Sequence, residues 1–233
     1  MADVALVTGA GRGIGLELCR QLLDRGWTIV ACPRVAGSPE LADIARAHPG
    51  RLHEVPLDVA DDDSVAHGAA RAAALVDHVD VLFNNAGIFP TERGRLEQLE
   101  LDSVFDAFDV NAVGVLRVTR ALLPLLRKGH AKRVIQMTSL MGSLRDNSSG
   151  GSWAYRLSKA AMNMVTRNLA HELGAEGFVC ISVHPGWVRT RMGGEGGRLG
   201  PRTAVEQVLH VALATGREAN GSFKGPGSVD LPF

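Results

Sequence analysis

The chain has 233 residues, 45% of them hydrophobic, with 25 Lys and Arg balanced by 25 Asp and Glu. This supports one large core and leaves no electrostatic footprint for nucleic acid or an anionic membrane surface. No apolar run reaches membrane-spanning length, and Met1-Ala2-Asp3 leads straight into a strand-like segment without a signal peptide, so a cytoplasmic protein is expected.

In chain order, Val4–Thr8 reads as a strand and Gly13–Arg25 as a helix, followed by strand Thr28–Cys32 and helix Glu40–Ala47. Strand Leu52–Leu57, helix Asp62–Val76 and strand Val79–Asn84 come next. The long helix Leu101–Arg127, strand Arg133–Thr138, helix Trp153–Glu176 and strand Val179–His184 complete the pattern. Near-continuous apolar strands separated by helices predict an α/β fold with a parallel sheet covered on both faces. No repeat, charge block or long linker divides residues 1–233, which read as a single domain. Two loops stand out. Residues 143–152 are rich in Ser, Gly and Asn, and residues 193–200 hold five glycines, which predicts a mobile substrate loop near 191–202 on the ligand side of the sheet. Cys19, Cys32 and Cys180 lie outside any C-x-x-C pattern and read as small core residues in a reducing compartment.

The first strand runs into Thr8-Gly9-Ala10-Gly11-Arg12-Gly13-Ile14-Gly15, which opens a helix. Glycines there let the backbone turn tightly and approach a pyrophosphate, whose charge then sits at a helix N-terminus. The spacing is not G-x-G-x-x-G, because Ile14 stands where the third glycine would fall. A tight strand–helix turn is the plain alternative. An acid that would hydrogen-bond an adenosine ribose is missing after the second strand, where the chain reads Cys32-Pro33-Arg34 and the first acid is Glu40. Arg34 and Arg12 instead offer permanently charged forks for a 2′-phosphate, which points to NADP(H) in preference to NAD(H), with solvated surface charges as the plain alternative.

Tyr155 and Lys159 are four residues apart and share a helix face. At about 5 Å and an effective dielectric of about 20, an ammonium stabilises a phenolate by roughly 3 kcal/mol, enough to draw a tyrosine from about 10 toward neutrality. Such a tyrosine trades protons in both directions. Ser139, at the end of the apolar run Val134–Ser139, is placed to hold the substrate oxygen. Alone, a Tyr-x-x-x-Lys pair is more often the edge of an amphipathic helix.

Thr8-Gly9-x-x-x-Gly13-x-Gly15, Asn84-Asn85-Ala86-Gly87, Asn111, Ser139, Tyr155-x-x-x-Lys159 and Pro185-Gly186 together resemble the short-chain dehydrogenase/reductase family, over nearly the whole chain. Segments 155–163, 184–190, 192–194 and 220–223 are similar to the C-factor and Sniffer-type carbonyl reductases. The resemblance implies a Rossmann-type doubly wound parallel sheet. It implies Tyr155 as acid in reduction and base in oxidation, and Lys159 as its partner and a ligand of the nicotinamide ribose. Ser139 would donate to the carbonyl oxygen, and Asn111 would serve in a proton relay or anchor a water beside Lys159. Besides Tyr155 and Lys159, the implied cofactor contacts are Gly9, Gly11, Arg12, Gly13, Ile14, Gly15 and Arg34. Asp58 and Val59 would flank the adenine, with Asn85, Ala86 and Gly87 under the cofactor. Pro185 and Gly186 belong to the same pattern, and Val188 and Thr190 would meet the carboxamide. Arg191 stands where relatives often carry an acid. The helices 101–127 and 153–176, with Met162, Met164, Val165 and Leu169, would pair subunits into a homodimer or homotetramer.

Other signals are set aside. His171-Glu172 lacks the second histidine of a zinc motif, and Asp61-Asp62-Asp63 is an acidic helix start. No G-x-S-x-G surrounds Ser139. Trp153, Trp187, Met141 and Met192 form either an apolar substrate wall or ordinary packing. The expected activity is NADPH-dependent reduction of a small ketone, aldehyde or quinone. The rivals are an alcohol dehydrogenase running the reverse reaction and a cofactor-binding sensor without turnover.

Overall fold

The central strands meet helices on both faces, and the alternation of their side chains decides which ones. In β1 (Val4–Thr8), Ala5 and Val7 enter the core on one side of the sheet, while Val4 and Leu6 enter the core on the other. A computed structural model of the protein describes residues 3–91 and 95–233; Met1 and Ala2, read above as the lead into the first strand, lie outside them. The other strands are β2 (Thr28–Cys32), β3 (Leu52–Glu54), β4 (Val81–Asn84), β5 (Arg133–Met137), β6 (Val179–Val183) and β7 (Phe223–Lys224). They form one parallel sheet in the order β3-β2-β1-β4-β5-β6-β7.

Helices α1 (Gly13–Asp24), α2 (Pro39–Ala47) and α7 (Pro201–Ala214) cover one face through residues such as Leu22, Leu41 and Val208. Helices α3 (Asp62–Leu75), α5 (Gly114–Lys128) and α6 (Trp153–Leu173) cover the other through Val65, Leu122 and Leu173. α4 (Leu101–Phe108) precedes α5. This is the expected Rossmann-type doubly wound α/β fold. β1 and β4 are neighbours from which the chain winds outward in opposite directions, so a crevice opens at their carboxyl ends. The three cysteines are buried free thiols, and burial pushes Cys19 up to about 12, which leaves it unreactive.

Several boundaries differ from the sequence expectation. The predicted helix 101–127 is divided by a π turn at Asp109–Val113. Regular strand geometry in β3 stops at Glu54, although Val55 and Leu57 still donate to Ala31 and Pro33 carbonyls. Pro56 has no N–H and ends the regular ladder. α7 and β7 were not anticipated. The first two residues of α7, Pro201 and Arg202, fall inside the segment read as a mobile loop.

At the opposite end of the sheet, Asp80 is fully buried. Its carboxylate accepts from the N–H groups of Val4 (2.9 Å), His130 (2.7 Å) and Ala131 (3.3 Å), and His78 Nε2 lies at 3.1 Å. Burial opposes its charge, but the backbone donors and His78 outweigh that cost and hold its pKa below the ordinary 3.8. Its contribution is therefore complete above that ordinary value and is lost as pH falls through the folded pKa. Asp80→Asn is expected to cost about 2 kcal/mol at pH 7, read by urea unfolding, and to flatten the acid limb of stability. An unchanged midpoint would show that the three N–H groups do not need the charge.

Candidate active site

The carboxyl ends of β1 and β4 are latched by Thr8, whose role sequence reading missed. Its hydroxyl donates to Phe83 O (3.3 Å) and accepts from the N–H groups of Asn85 and Ala86 (both 3.0 Å). The Asn85 amide returns a bond to Thr8 O at 2.8 Å. These bonds draw Asn85-Ala86 against the glycine loop so closely that a Cβ on Gly9, whose φ is +65°, would come within 2.9 Å of Ala86 Cα. A Cβ on Gly15 would lie 2.3 Å from Gly9 O. Ile14 packs into the core behind the loop. Arg12 precedes α1 without a side-chain cap, and the first turn of the helix holds no acid. That leaves backbone N–H donors and the positive end of the dipole for an anion.

The far side of the crevice comes from the segment after β6. Thr190 faces the loop, its Cγ2 lying 3.5 Å from where a Gly13 Cβ would stand. Gly186 adopts φ +84°, with Leu199 against it. Val188 is buried and bridges to Leu199. Residues 187–200 are folded upon themselves: Trp187 Nε1 donates to Gly193 O (2.8 Å), and Arg189 donates to Gly197 O (3.0 Å). The structure thus brings the glycine loop, Asn85, Ala86, Gly87 and Thr190 to one crevice. Asp58 uses its carboxylate in its own turn, accepting from Ala60 N at 3.0 Å. Val59 packs on Gly114 in the core, so its side chain faces inward. Arg34 is exposed beyond Pro33.

The π turn carries Asn111 into the core, fully buried. Its Oδ1 accepts from Ile88 N (2.8 Å), and its Nδ2 donates to Ile88 O and to Ser158 Oγ (both 2.9 Å). Ser158 in turn donates to Tyr155 O at 2.8 Å. One side chain thereby ties the segment after β4 to α6. Gly87 leaves the space between them open, since a Cβ there would lie 2.9 Å from Asn111 Oδ1 and 3.6 Å from Lys159 Nζ.

Ser139, Tyr155 and Lys159 are all buried. Ser139 caps the turn after β5, accepting from Met141 N, and its side chain is close enough to Tyr155 to favour the phenolate. Lys159 Nζ lies 5.6 Å from the Tyr155 ring centroid but donates to Met137 O at 2.9 Å. The expected depression of the phenol by the ammonium is not what this arrangement gives. Burial takes Tyr155 up to about 12 against the smaller opposing effect of Ser139, and burial draws Lys159 down to about 7. Both groups lose water, and the lysine directs a donor to a carbonyl. Two further residues went unnoticed in the sequence. His184, beyond β6, is held neutral by burial, down to about 4, with Asp146 opposing. Phe89 packs on Tyr155, with ring centroids 4.5 Å apart.

Among the described residues no group of three or more His, Cys, Asp or Glu is arranged to hold a metal, and no helix is long and apolar enough to cross a membrane. The side chains gathered in the crevice offer proton donation and hydrogen bonding beside a cradle suited to a dinucleotide. Residues 3–198 match the family described as short chain dehydrogenase. The C-signal protein of Myxococcus xanthus is 43% identical over 155 residues, which span 66% of this chain and 93% of that protein. The carbonyl reductase Sniffer of D. melanogaster superposes with a TM-score of 0.93 at 31% identity, covering 100% of both chains. An NADPH-bound carbonyl reductase from chicken fatty liver gives a TM-score of 0.92 at 30% identity, covering 100% of this chain and 99% of that one.

Proposed function

The chain belongs to the short-chain dehydrogenase/reductase family, and we propose that it reduces the carbonyl of a small ketone, aldehyde or quinone to an alcohol with NADPH. The observation that carries this reading is the buried Tyr155 side chain, with Ser139 and Lys159 beside it at the carboxyl end of the sheet. Bound nicotinamide dinucleotide would supply the hydride. The uncapped start of α1 and the glycine loop would receive its pyrophosphate. Asn85, Ala86 and Gly87, with Pro185, Gly186, Val188 and Thr190, would line the remainder of its bed.

Tyr155, kept protonated by burial, gives its proton to the substrate oxygen, while Ser139 donates a hydrogen bond to the same atom. Lys159 offers positive charge to the phenolate that remains, and Asn111 holds the frame through Ile88 and Ser158. Segment 187–200 closes the substrate side. Decay of NADPH absorbance with a mixed carbonyl panel tests the reading. Cofactor binding without decay on any member would favour a sensor, and turnover confined to alcohols with NADP would favour the dehydrogenase direction.

Lysine 159 also sets an expected pH dependence. Its charge is present below about 7 and fades above. Reductive kcat/KM is expected to decline as pH rises through neutrality, because the phenolate loses its counter-ion. A profile that is flat between about pH 6 and 9 would remove Lys159 from that role.

The protein is proposed to be a cyclic two-fold dimer at least. Leu101 and Phe105 on α4, Leu116 on α5, and Leu157 and Met164 on α6 are all exposed apolar residues. Of the four residues expected at the interface, Met162 and Val165 are buried in the protein's own core, Leu169 is half-buried against them, and Met164 alone faces out. Phe105→Asp is expected to shift the light-scattering mass from dimer to monomer. A wild type that is monomeric at micromolar concentration would refute the pairing.

A further inference from the structure

Phe89 is in contact with the proposed proton donor and is nevertheless 42% exposed. The ring meets Tyr155 at a 49° tilt with a 4.5 Å centroid separation, within the range of attractive aromatic pairs. It therefore forms a wall between Tyr155 and solvent. Its backbone is constrained from both sides. Ile88, immediately before it, has its N–H and C=O both held by Asn111. Pro90, immediately after it, disfavours the helical region for Phe89 and favours an extended conformation. A large aromatic side chain on an anchored backbone, half open to water beside the reacting hydroxyl, is a preformed surface for another flat apolar group.

Resting on the carbonyl-reductase reading, we propose that Phe89 is a specificity-determining residue that selects planar aromatic carbonyl compounds, quinones and aryl ketones, over aliphatic aldehydes and ketones. A flat substrate that presents its oxygen to Tyr155 and Ser139 lies against the exposed part of the Phe89 ring. An aliphatic chain covers less of it and lacks the aromatic pairing geometry. Trp187 and Met192, on the loop that follows β6, are also exposed and leave the mouth of the crevice apolar.

The test compares the full-length wild type with Phe89→Leu, which keeps bulk and removes the π face, and Phe89→Ala. Menadione and hexanal serve as reducible probes. Calorimetric binding of 1-naphthol and 1-hexanol in the presence of NADP serves as a readout that needs no turnover. In Phe89→Leu the KM for menadione is expected to rise about tenfold while that for hexanal stays within about twofold, with the same split between the two alcohols in binding. Thermal melts of both variants control for folding, and Phe89→Leu alone suffices if Phe89→Ala fails to fold. Equal changes for flat and aliphatic ligands overturn the assignment, as does a gain in turnover on both, which would make the ring an obstruction. A wild type that consumes NADPH with neither probe, nor with any other carbonyl compound, overturns the reductase reading instead. The split in alcohol binding then decides the role of Phe89 by itself.

Discussion

Replacing Tyr155 by phenylalanine is expected to lower kcat about a thousandfold while leaving NADPH affinity within about threefold. The substitution removes one hydroxyl and keeps the ring, so the packing against Phe89 and the position of Lys159 near the ring are preserved. What disappears is the transferable proton, together with the effect of Ser139 on the phenol. Burial holds that proton on the oxygen until a substrate arrives, which suits an acid in the reductive direction and disfavours a base in the oxidative one. Ser139→Ala is a milder lesion by the same logic, since it removes a hydrogen bond to the developing charge but not the proton source. Stopped-flow turnover and cofactor fluorescence titration on the same preparation separate the two effects. Retention of near wild-type kcat by Tyr155→Phe would sink the proposed role. A parallel loss of NADPH binding would assign Tyr155 to the cofactor bed and not to proton transfer.

Much of this was legible from the chain because local rules and the global fold agree. Strands such as Val179–Val183 are short, apolar and β-branched, and they survive as elements with nearly the expected boundaries. The glycine loop was legible because its glycines meet two separate demands, a positive φ at Gly9 and a close approach at Gly15. Asn111 was found only through resemblance, since a single mid-helix asparagine carries no periodic signal and nothing in residues 109–113 announces the π turn that seats it. α7 lay within reach: Pro201 stands at its start, and Val205, Val208, Leu209 and Ala212 keep helical spacing. β7 has two residues and is defined by its pairing with β6, which no local pattern encodes. The electrostatics of Tyr155 and Lys159 run opposite to the pairwise expectation. Two charges in an effective dielectric do not include the cost of removing both groups from water, and burial is a property of the assembled fold.

NADPH is expected to be preferred over NADH by about a hundredfold in kcat/KM, and Arg34→Asp is expected to abolish that preference. β2 ends at Cys32, and Pro33 is buried, with its Cβ 3.3 Å from where a Gly11 Cβ would stand. The chain therefore leaves the sheet alongside the nucleotide loop, and Arg34 is the first exposed residue beyond it. Arg12, within that loop, is also exposed. Among the described residues neither guanidinium takes part in an ion pair or a side-chain hydrogen bond. The carboxylates nearest in sequence and pairing are already engaged. Glu54 Oε1 accepts from Gly37 N at 2.7 Å, and Glu40 Oε2 accepts from Ser38 Oγ at 3.0 Å. Ser38 also reaches Gly11 O at 3.3 Å, so this side of the loop is organised by α2 and its cap. Were both forks to reach the 2′-phosphate, their charge-assisted contacts would together be worth roughly 3 kcal/mol. Aspartate at position 34 replaces one of them with repulsion of the 2′-phosphate and an acceptor for the ribose hydroxyl of NADH. Arg12→Ala should remove only part of the preference, because it deletes a contact without adding repulsion. The ratio of kcat/KM for the two cofactors in the three proteins decides the matter. Equal use of NADH by the wild type, or an unchanged ratio in Arg34→Asp, would remove Arg34 as the selector and leave the 2′-phosphate to groups elsewhere in the crevice.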